Sequence, residues 1–249
     1  MTRILEVCID SLASARAAIH GGADRLELCS ALALGGLTPY TALLQKIRAE
    51  SSIPIRCLIR SRSGDFLYSH DETDLMARQI RQLKAAGADG FVIGCLRADG
   101  ELDHNAMKPL IEAADGAGLT LHRCIDVSVD PLKTYRQAAG LGIDTILTSG
   151  AASICTKGIE TICALLELRD KDNGPEVLIG AGVSVANIQN LLDALPTARA
   201  FHASCKEWIE SSMQFRRTDI PMGLPGLDEW HIQQTDEAQV CALKEILSR

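Results

Sequence analysis

Carboxylate and thiol side chains occur together in two short apolar runs near the start of the sequence. In ILEVCID, Glu6, Cys8 and Asp10 alternate with apolar residues, and in RLELC the same pattern holds Glu27 and Cys29. Alternate residues of a β-strand share one face. The spacing therefore predicts carboxylates and thiols on one face of two neighbouring strands.

A third run, LTLHRCID, ends in several ionisable residues. Strand alternation would place His122, Cys124 and Asp126 on one face and Arg123 on the other. A histidine close to carboxylates can transfer protons near neutral pH. Glu27, His122 and Asp126 are therefore the candidate catalytic residues.

Polar residues and glycines end most of the other apolar runs, and arginines there could bind an anion in bidentate fashion. The candidate substrate-binding residues are Glu6, Asp10, Arg60, Arg62, Asp65, Arg123, Thr148, Ser149, Gly180, Gly182, His202 and Ser204. Each charged residue could instead belong to a satisfied ion-pair network, and the glycine pair fits an ordinary tight turn. Burying charges from five strands is costly, so their convergence favours a functional site.

The elements that position these residues alternate regularly between strand and helix. Short apolar runs predict strands at 4–9, 25–29, 53–59, 90–96, 119–125, 145–149, 176–182 and 200–205, with helical segments between them. This pattern predicts a single (β/α)8 TIM barrel over residues 1–249, with an open doubly wound sheet as the alternative. An irregular segment is expected at 206–234, before a last helix.

Helix start signals support these boundaries. Thr38-Pro39 and Asp130-Pro131 each offer an N-cap side chain followed by proline, and Ser69 with Glu72 has the spacing of a capping box. In a barrel of this kind the C-terminal strand ends carry the functional groups. The polar strand ends are therefore expected to converge.

Composition excludes several classes of partner. A net charge of −7 argues against general binding to nucleic acid or anionic lipid. No apolar run is long enough to span a membrane, and the N-terminus lacks a secretory signal, so we expect a cytoplasmic protein. The nine cysteines form no CxxC motif, and most are expected to be small buried hydrophobic residues.

The sequence also resembles the CutC copper homeostasis proteins. The resemblance spans nearly the whole chain, and its motifs in order are EVCIDS, GGADRLELCS, GGLTP, SGDFLYS, LHRCID, LTSG, GAGV and FHASC. The residues that depart from the family pattern are Ser61, Ser63, Cys124 and Ile125, whereas the ionisable residues around them are kept. The resemblance implies a TIM barrel and a cytoplasmic homo-oligomer, a dimer or a tetramer.

Two hypotheses of function follow, and the sequence leaves open whether the protein is an enzyme. The first, implied by the family, is copper homeostasis with Cu(I) bound by Cys8 and Cys29, since Cu(I) prefers thiolates. We expect these cysteines at matching positions on strands about 5 Å apart, with Cys124 as a possible third sulfur. The second is an enzyme that acts on a small anionic metabolite at the Glu/Arg/His pocket. Neither hypothesis calls for an organic cofactor.

Overall fold

The computed structural model describes residues 3–220, 223, 226 and 228–249. Eight parallel strands close into a barrel in chain order, which confirms the predicted (β/α)8 architecture. The strands are β1 (Ile4–Ile9), β2 (Arg25–Leu28), β3 (Ile55–Leu58), β4 (Gly90–Ile93), β5 (Gly118–Leu121), β6 (Thr145–Thr148), β7 (Glu176–Ile179) and β8 (Ala200–Ala203). The helices are α1 (Leu12–His20), α2 (Thr41–Arg48), α3 (His70–Ala85), α4 (His104–Ala114), α5 (Pro131–Gly140), α6 (Ile159–Asp172), α7 (Ile188–Ala194) and α8 (Glu237–Leu247).

Strand alternation sorts the side chains between the helical layer and the barrel lumen. Val7, Leu28 and Ile179 belong to the large core that packs against the helices. The opposite faces form two smaller buried clusters, which contain Cys29, Leu58 and Val92 in one case and Leu147, Leu178 and Ala200 in the other. Apolar side chains therefore occupy part of the lumen.

Two of the predicted helix starts are confirmed and one is wrong. Ser69 and Glu72 form a capping box on α3, and Asp130 caps α5, which begins with proline. Thr38 does not cap α2, whose N-cap is Tyr40. The Thr38 hydroxyl instead accepts a hydrogen bond from the Arg60 amide at 2.9 Å, so this threonine fixes the chain that leaves β3.

The predicted fifth strand is too long. β5 ends at Leu121, and Arg123–Val127 forms a 3-10 helix. The prediction that His122, Cys124 and Asp126 share one strand face is therefore wrong. Cys124 packs into the large core, whereas His122 lies at the barrel mouth.

The segment after β8 is more regular than predicted. β9 (Lys206–Glu210) and β10 (His231–Thr235) pair as an antiparallel hairpin, because alternating strand formers at both ends can hydrogen-bond to each other. Pro221 and Pro225, which belong to the segment expected to be irregular, lie outside the described residues. Among the helices in the described ranges, none is long and apolar enough to cross a membrane.

Candidate functional site

Closure of the barrel brings together residues from the two ends of the chain. β1 pairs with β8 so that Glu6 lies opposite His202, and β1 pairs with β2 so that Cys8 lies opposite Glu27. These four side chains share the lumen face at the C-terminal strand ends, and all are buried or nearly so. The sequence had placed them in one site, and the register shows which of them are neighbours.

His202 is the centre of this group. Its Nδ1 lies 2.9 Å from Glu6 Oε1, and its Nε2 lies 3.7 Å from Glu27 Oε2. Cys8, Glu27 and His202 each offer one ligand atom, and these atoms lie within 4.8 Å of one another. Distances of this size suit a single metal ion between a thiolate, an imidazole and a carboxylate. We call these three residues the Cys-Glu-His cluster.

The surrounding charges fix the protonation of the group. Burial alone would raise the pKa of Glu6, but the hydrogen bond from His202 and the charge of Arg25 lower it to about 2. Burial opposes a charged His202, yet its interactions with Cys8, Glu27 and Glu6 hold the pKa of His202 well above its ordinary value. Burial raises the pKa of Glu27 despite the charge of His202. In the absence of metal, His202 is therefore an imidazolium between two acids.

The predicted matching of Cys8 with Cys29 is wrong. The partner of Cys8 across the strands is Glu27. Cys29 lies two residues further along the chain and packs against Leu58 and Val92. Burial and then the charge of Glu27 raise the pKa of Cys29 well above its ordinary value. Its Sγ lies 3.5 Å from Glu27 Oε2, and Cys29 does not belong to the three residues whose ligand atoms lie within 4.8 Å of one another.

A second set of polar groups lines the other wall of the same cavity, which has a volume of about 340 Å³. Arg60 follows β3 and His122 follows β5, and both side chains are buried. His122 Nδ1 accepts a hydrogen bond from the Cys124 amide at 3.1 Å, which places the ring proton on Nε2. Burial and then the charge of Arg60 lower the pKa of His122 to about 3, so this ring is neutral.

Asp126 and Arg123 connect the loops that follow β5 and β6. Asp126 accepts hydrogen bonds from the hydroxyl of Thr148 at 2.5 Å, from the hydroxyl of Ser149 at 2.9 Å and from the amide of Ala151 at 3.0 Å. It also accepts from Arg123 Nε at 2.8 Å. Both of its oxygens are therefore occupied, and its observed contacts orient these loops.

The remaining predicted site residues lie around this cavity or outside it. Asp10 and Ser204 line a smaller cavity beside Cys8. Arg62 and Asp65 bind each other at 3.0 Å on the loop after β3, outside both cavities. Gly180 packs beneath His202, where an added Cβ would lie 3.3 Å from the histidine Cβ, and Gly182 has a positive φ of 90°.

Two residues of the site were not among the predicted ones. Arg25 donates to Glu6 Oε2 at 2.5 Å, and Phe66 lies over His122 with ring centroids 4.6 Å apart. Arg25 could have been recognised because it shares the parity of Glu27 on β2. Phe66 lies in a loop whose path no periodicity predicts.

Comparison with known proteins shows what this chain resembles. A model of the CutC family matches residues 3–207, a range that includes the whole Cys-Glu-His cluster. CutC family proteins of Agrobacterium fabrum and Xanthomonas campestris pv. campestris strain B100 are 41% identical over 246 residues and 42% identical over 243 residues. The alignments cover 98% of this chain in both cases, and 94% and 98% of the two relatives.

A solved structure agrees with these relatives. A Streptococcus agalactiae protein, provisionally described as the copper homeostasis protein CutC, has a TM-score of 0.75 and 28% sequence identity. The match covers 81% of this chain and 98% of that one. The likeness therefore holds in sequence and in structure.

Proposed function

Because the chain belongs to the CutC family, we propose that it serves copper homeostasis by binding Cu(I) at the Cys-Glu-His cluster. The observation that carries this proposal is the convergence of Cys8 and His202 on one point. A thiolate and an imidazole are soft and intermediate donors that suit Cu(I). As the family resemblance implies, the proposal places the protein in the cytoplasm as a homo-oligomer.

The neighbours of His202 support a ligand role. Glu6 holds Nδ1 at 2.9 Å, which leaves Nε2 facing Cys8 and Glu27. A carboxylate bound to the far nitrogen of a metal-binding histidine fixes the ring and strengthens the ligand. The metal has to displace a proton from Nε2, so the affinity is expected to fall as the pH is lowered.

The test is a Cu(I) titration of the reduced protein against a competing chelator. Cys8→Ser and His202→Gln are each expected to weaken Cu(I) binding by at least about tenfold to a hundredfold, the usual cost of disturbing a metal site. Cys241→Ser is the matched control, since this cysteine is exposed on α8 and far from the mouth in sequence. Cys29→Ser tests the cysteine that the register sets apart, and it should have the smaller effect.

Several results would count against copper. The proposal is wrong if wild-type affinity is no higher than that of Cys8→Ser, or if Cys241→Ser weakens binding equally. Zinc accepts the same three ligand types. A parallel competition with Zn²⁺ therefore decides the metal, and tighter binding of Zn²⁺ than of Cu(I) would overturn the assignment to copper.

The enzyme hypothesis has less support from the geometry. Asp126 has both carboxylate oxygens occupied, and His122 has its unprotonated nitrogen already engaged with a backbone amide. A general base needs a free lone pair at neutral pH. The positions of these two candidates therefore favour binding and positioning over proton transfer.

A further inference from the structure

Arg60 is a buried cation that the described residues leave without a carboxylate partner. The residue is 8% exposed, and its terminal nitrogens donate to the carbonyl oxygens of Leu34, Gly36 and Gly64, at 2.8 to 3.1 Å. Among the residues that the structure describes, no acidic side chain forms an ion pair with it, and its Nε has no hydrogen-bond partner. Burying a charge with only neutral partners is costly.

His122 presents a second unpartnered donor beside Arg60. The residue is 5% exposed, its Nδ1 accepts from the Cys124 amide, and its Nε2 has no partner among the described residues. A buried N–H without an acceptor costs about 1–3 kcal/mol. Arg60 Nε and His122 Nε2 are thus two buried donors without an acceptor among the described residues, and a negatively charged group could accept from both.

Phe66 joins these two groups into one site. Its ring lies 4.6 Å from the imidazole centroid of His122 and 5.3 Å from the guanidinium carbon of Arg60. All three side chains line the cavity of about 340 Å³ at the barrel mouth. Both unpartnered nitrogens are buried, so a ligand could contact them only after a neighbouring side chain moves, and Phe66 packs against both groups.

The rest of the cavity wall is largely apolar on this side. The apolar lining residues are Leu32, Leu34, Leu58 and Leu147. Glu27 also lines the cavity, but it lies 3.7 Å from the charged His202, and Arg123 is paired with Asp126. The free positive charge of the cavity is therefore that of Arg60, next to a surface suited to an organic group.

We propose that this cavity binds a small organic monocarboxylate. The carboxylate accepts from Arg60 Nε and His122 Nε2, its apolar part lies against the leucines, and Phe66 covers it. One positive charge and two unpartnered donors in one cavity wall match a single carboxylate better than a doubly charged phosphate. The site lies opposite the Cys-Glu-His cluster, and the proposal does not depend on metal binding.

Calorimetric titration of the full chain, freed of metal by a chelator, with isovalerate tests this site. We expect saturable binding of isovalerate, and binding of isovaleramide, its neutral analogue, weaker by about tenfold or more, as charge-assisted hydrogen bonds predict. Arg60→Gln and His122→Phe should each weaken isovalerate binding to a similar degree. Arg78→Gln is the matched control, because Arg78 is exposed on α3, where it pairs with Asp74, and should leave isovalerate binding unchanged.

A second measurement keeps the test decisive if Arg60→Gln does not fold. In the wild-type protein with isotope-labelled histidine, isovalerate should shift the Nε2–H signal of His122, and isovaleramide should not. The proposal is overturned if isovalerate gives neither saturable heat nor a signal shift, if the amide binds equally well, or if inorganic phosphate binds more tightly. Because the protein is free of metal here, failure of this test leaves the copper proposal to its own titration.

Discussion

Two histidines at one barrel mouth differ in charge, because their neighbours differ. His202 lies between Glu6 and Glu27 and is protonated, whereas His122 lies beside Arg60 and is neutral. Burial lowers the pKa of both rings and is the first cause of the low pKa of His122, so the acidic neighbours of His202 account for the difference. The sequence can therefore identify a histidine as a candidate site residue, but it does not show whether the imidazole is charged.

The neutral state of His122 predicts a pH dependence of stability. The pKa of His122 is about 3 in the folded protein, against an unfolded value of 6.5, so the unfolded chain binds the extra proton between these values. Stability from this group is complete above pH 6.5 and is lost as the pH falls toward 3. Between pH 7 and pH 5 the loss should be about 2 kcal/mol.

Urea unfolding of wild type and His122→Phe at several pH values measures this contribution. The variant should lose about 2 kcal/mol less than the wild type between pH 7 and pH 5. His104→Gln is the control, since His104 is exposed at the start of α4 and should leave the pH dependence unchanged. Equal slopes for wild type and His122→Phe would show that His122 titrates normally in the folded protein.

At the scale of elements, the end of β5 differs most from its predicted form. The chain turns into a 3-10 helix at Arg123, and Asp126 bonds to the loop that follows β6. Alternating residues predicted a longer strand because apolar residues continue to Ile125. The turn depends on donors that Thr148, Ser149 and Ala151 supply from another part of the chain, and no local pattern contains them.

Asp126→Asn is expected to loosen these two loops. Asparagine replaces one acceptor oxygen of Asp126 with an NH2 group, which would face the donors of these loops. The free energy of unfolding should therefore fall by about 2–4 kcal/mol, as for other buried polar groups left without partners. Hydrogen exchange of the Ser149 and Ala151 amides should accelerate by more than that of the strand interiors. Asp130→Asn is the control, because asparagine caps helices as well as aspartate does. Unchanged exchange at both amides would mean that Asp126 does not hold the loops.

At the scale of the whole molecule, the sequence predicted the barrel better than the contacts within it. Eight apolar runs separated by helices were enough to identify the architecture, because each unit has to bury one strand and one helix face. Register was the part that could not be predicted. Strands in a closed barrel are staggered, so equivalent sequence positions such as Cys8 and Cys29 do not lie at one height.

Closure of the barrel also explains the position of His202. The sequence identified it as a binding residue but did not relate it to Glu6, which lies 196 positions away. Pairing the first strand with the last would have suggested this contact, whereas the resulting 2.9 Å hydrogen bond depends on the stagger. The site could thus be located from the sequence, and its internal pairing could not.

The β9–β10 hairpin is expected to shield Cys8 without supporting the barrel. Every residue of β9 is exposed, while Lys206, Gln233, Gln234 and Thr235 line the small cavity next to Cys8. Lys206 and Thr235 are cross-strand partners, so residues 207–234 can be replaced by an Asn-Gly turn. The shortened chain should keep its far-ultraviolet spectrum, and its Cys8 should react several times faster with a thiol reagent.

Peptide mass spectrometry after brief labelling separates Cys8 from the other cysteines. Cys57, buried between strand and helix, is the internal control and should react at the same rate in both chains. Faster labelling of Cys57 would indicate that the deletion loosens the barrel as a whole. Unchanged labelling of Cys8 would show that the hairpin does not cover it.

Buried apolar side chains in the lumen leave the barrel with its polar cavity at one end. Leu58, Val92, Leu147 and Leu178 are buried in the lumen, whereas the cavity of about 340 Å³ lies at the C-terminal rim. A ligand that binds in this cavity therefore enters and leaves at the C-terminal rim. Binding and release of a ligand therefore use one opening, and a molecule that occupies this rim blocks both.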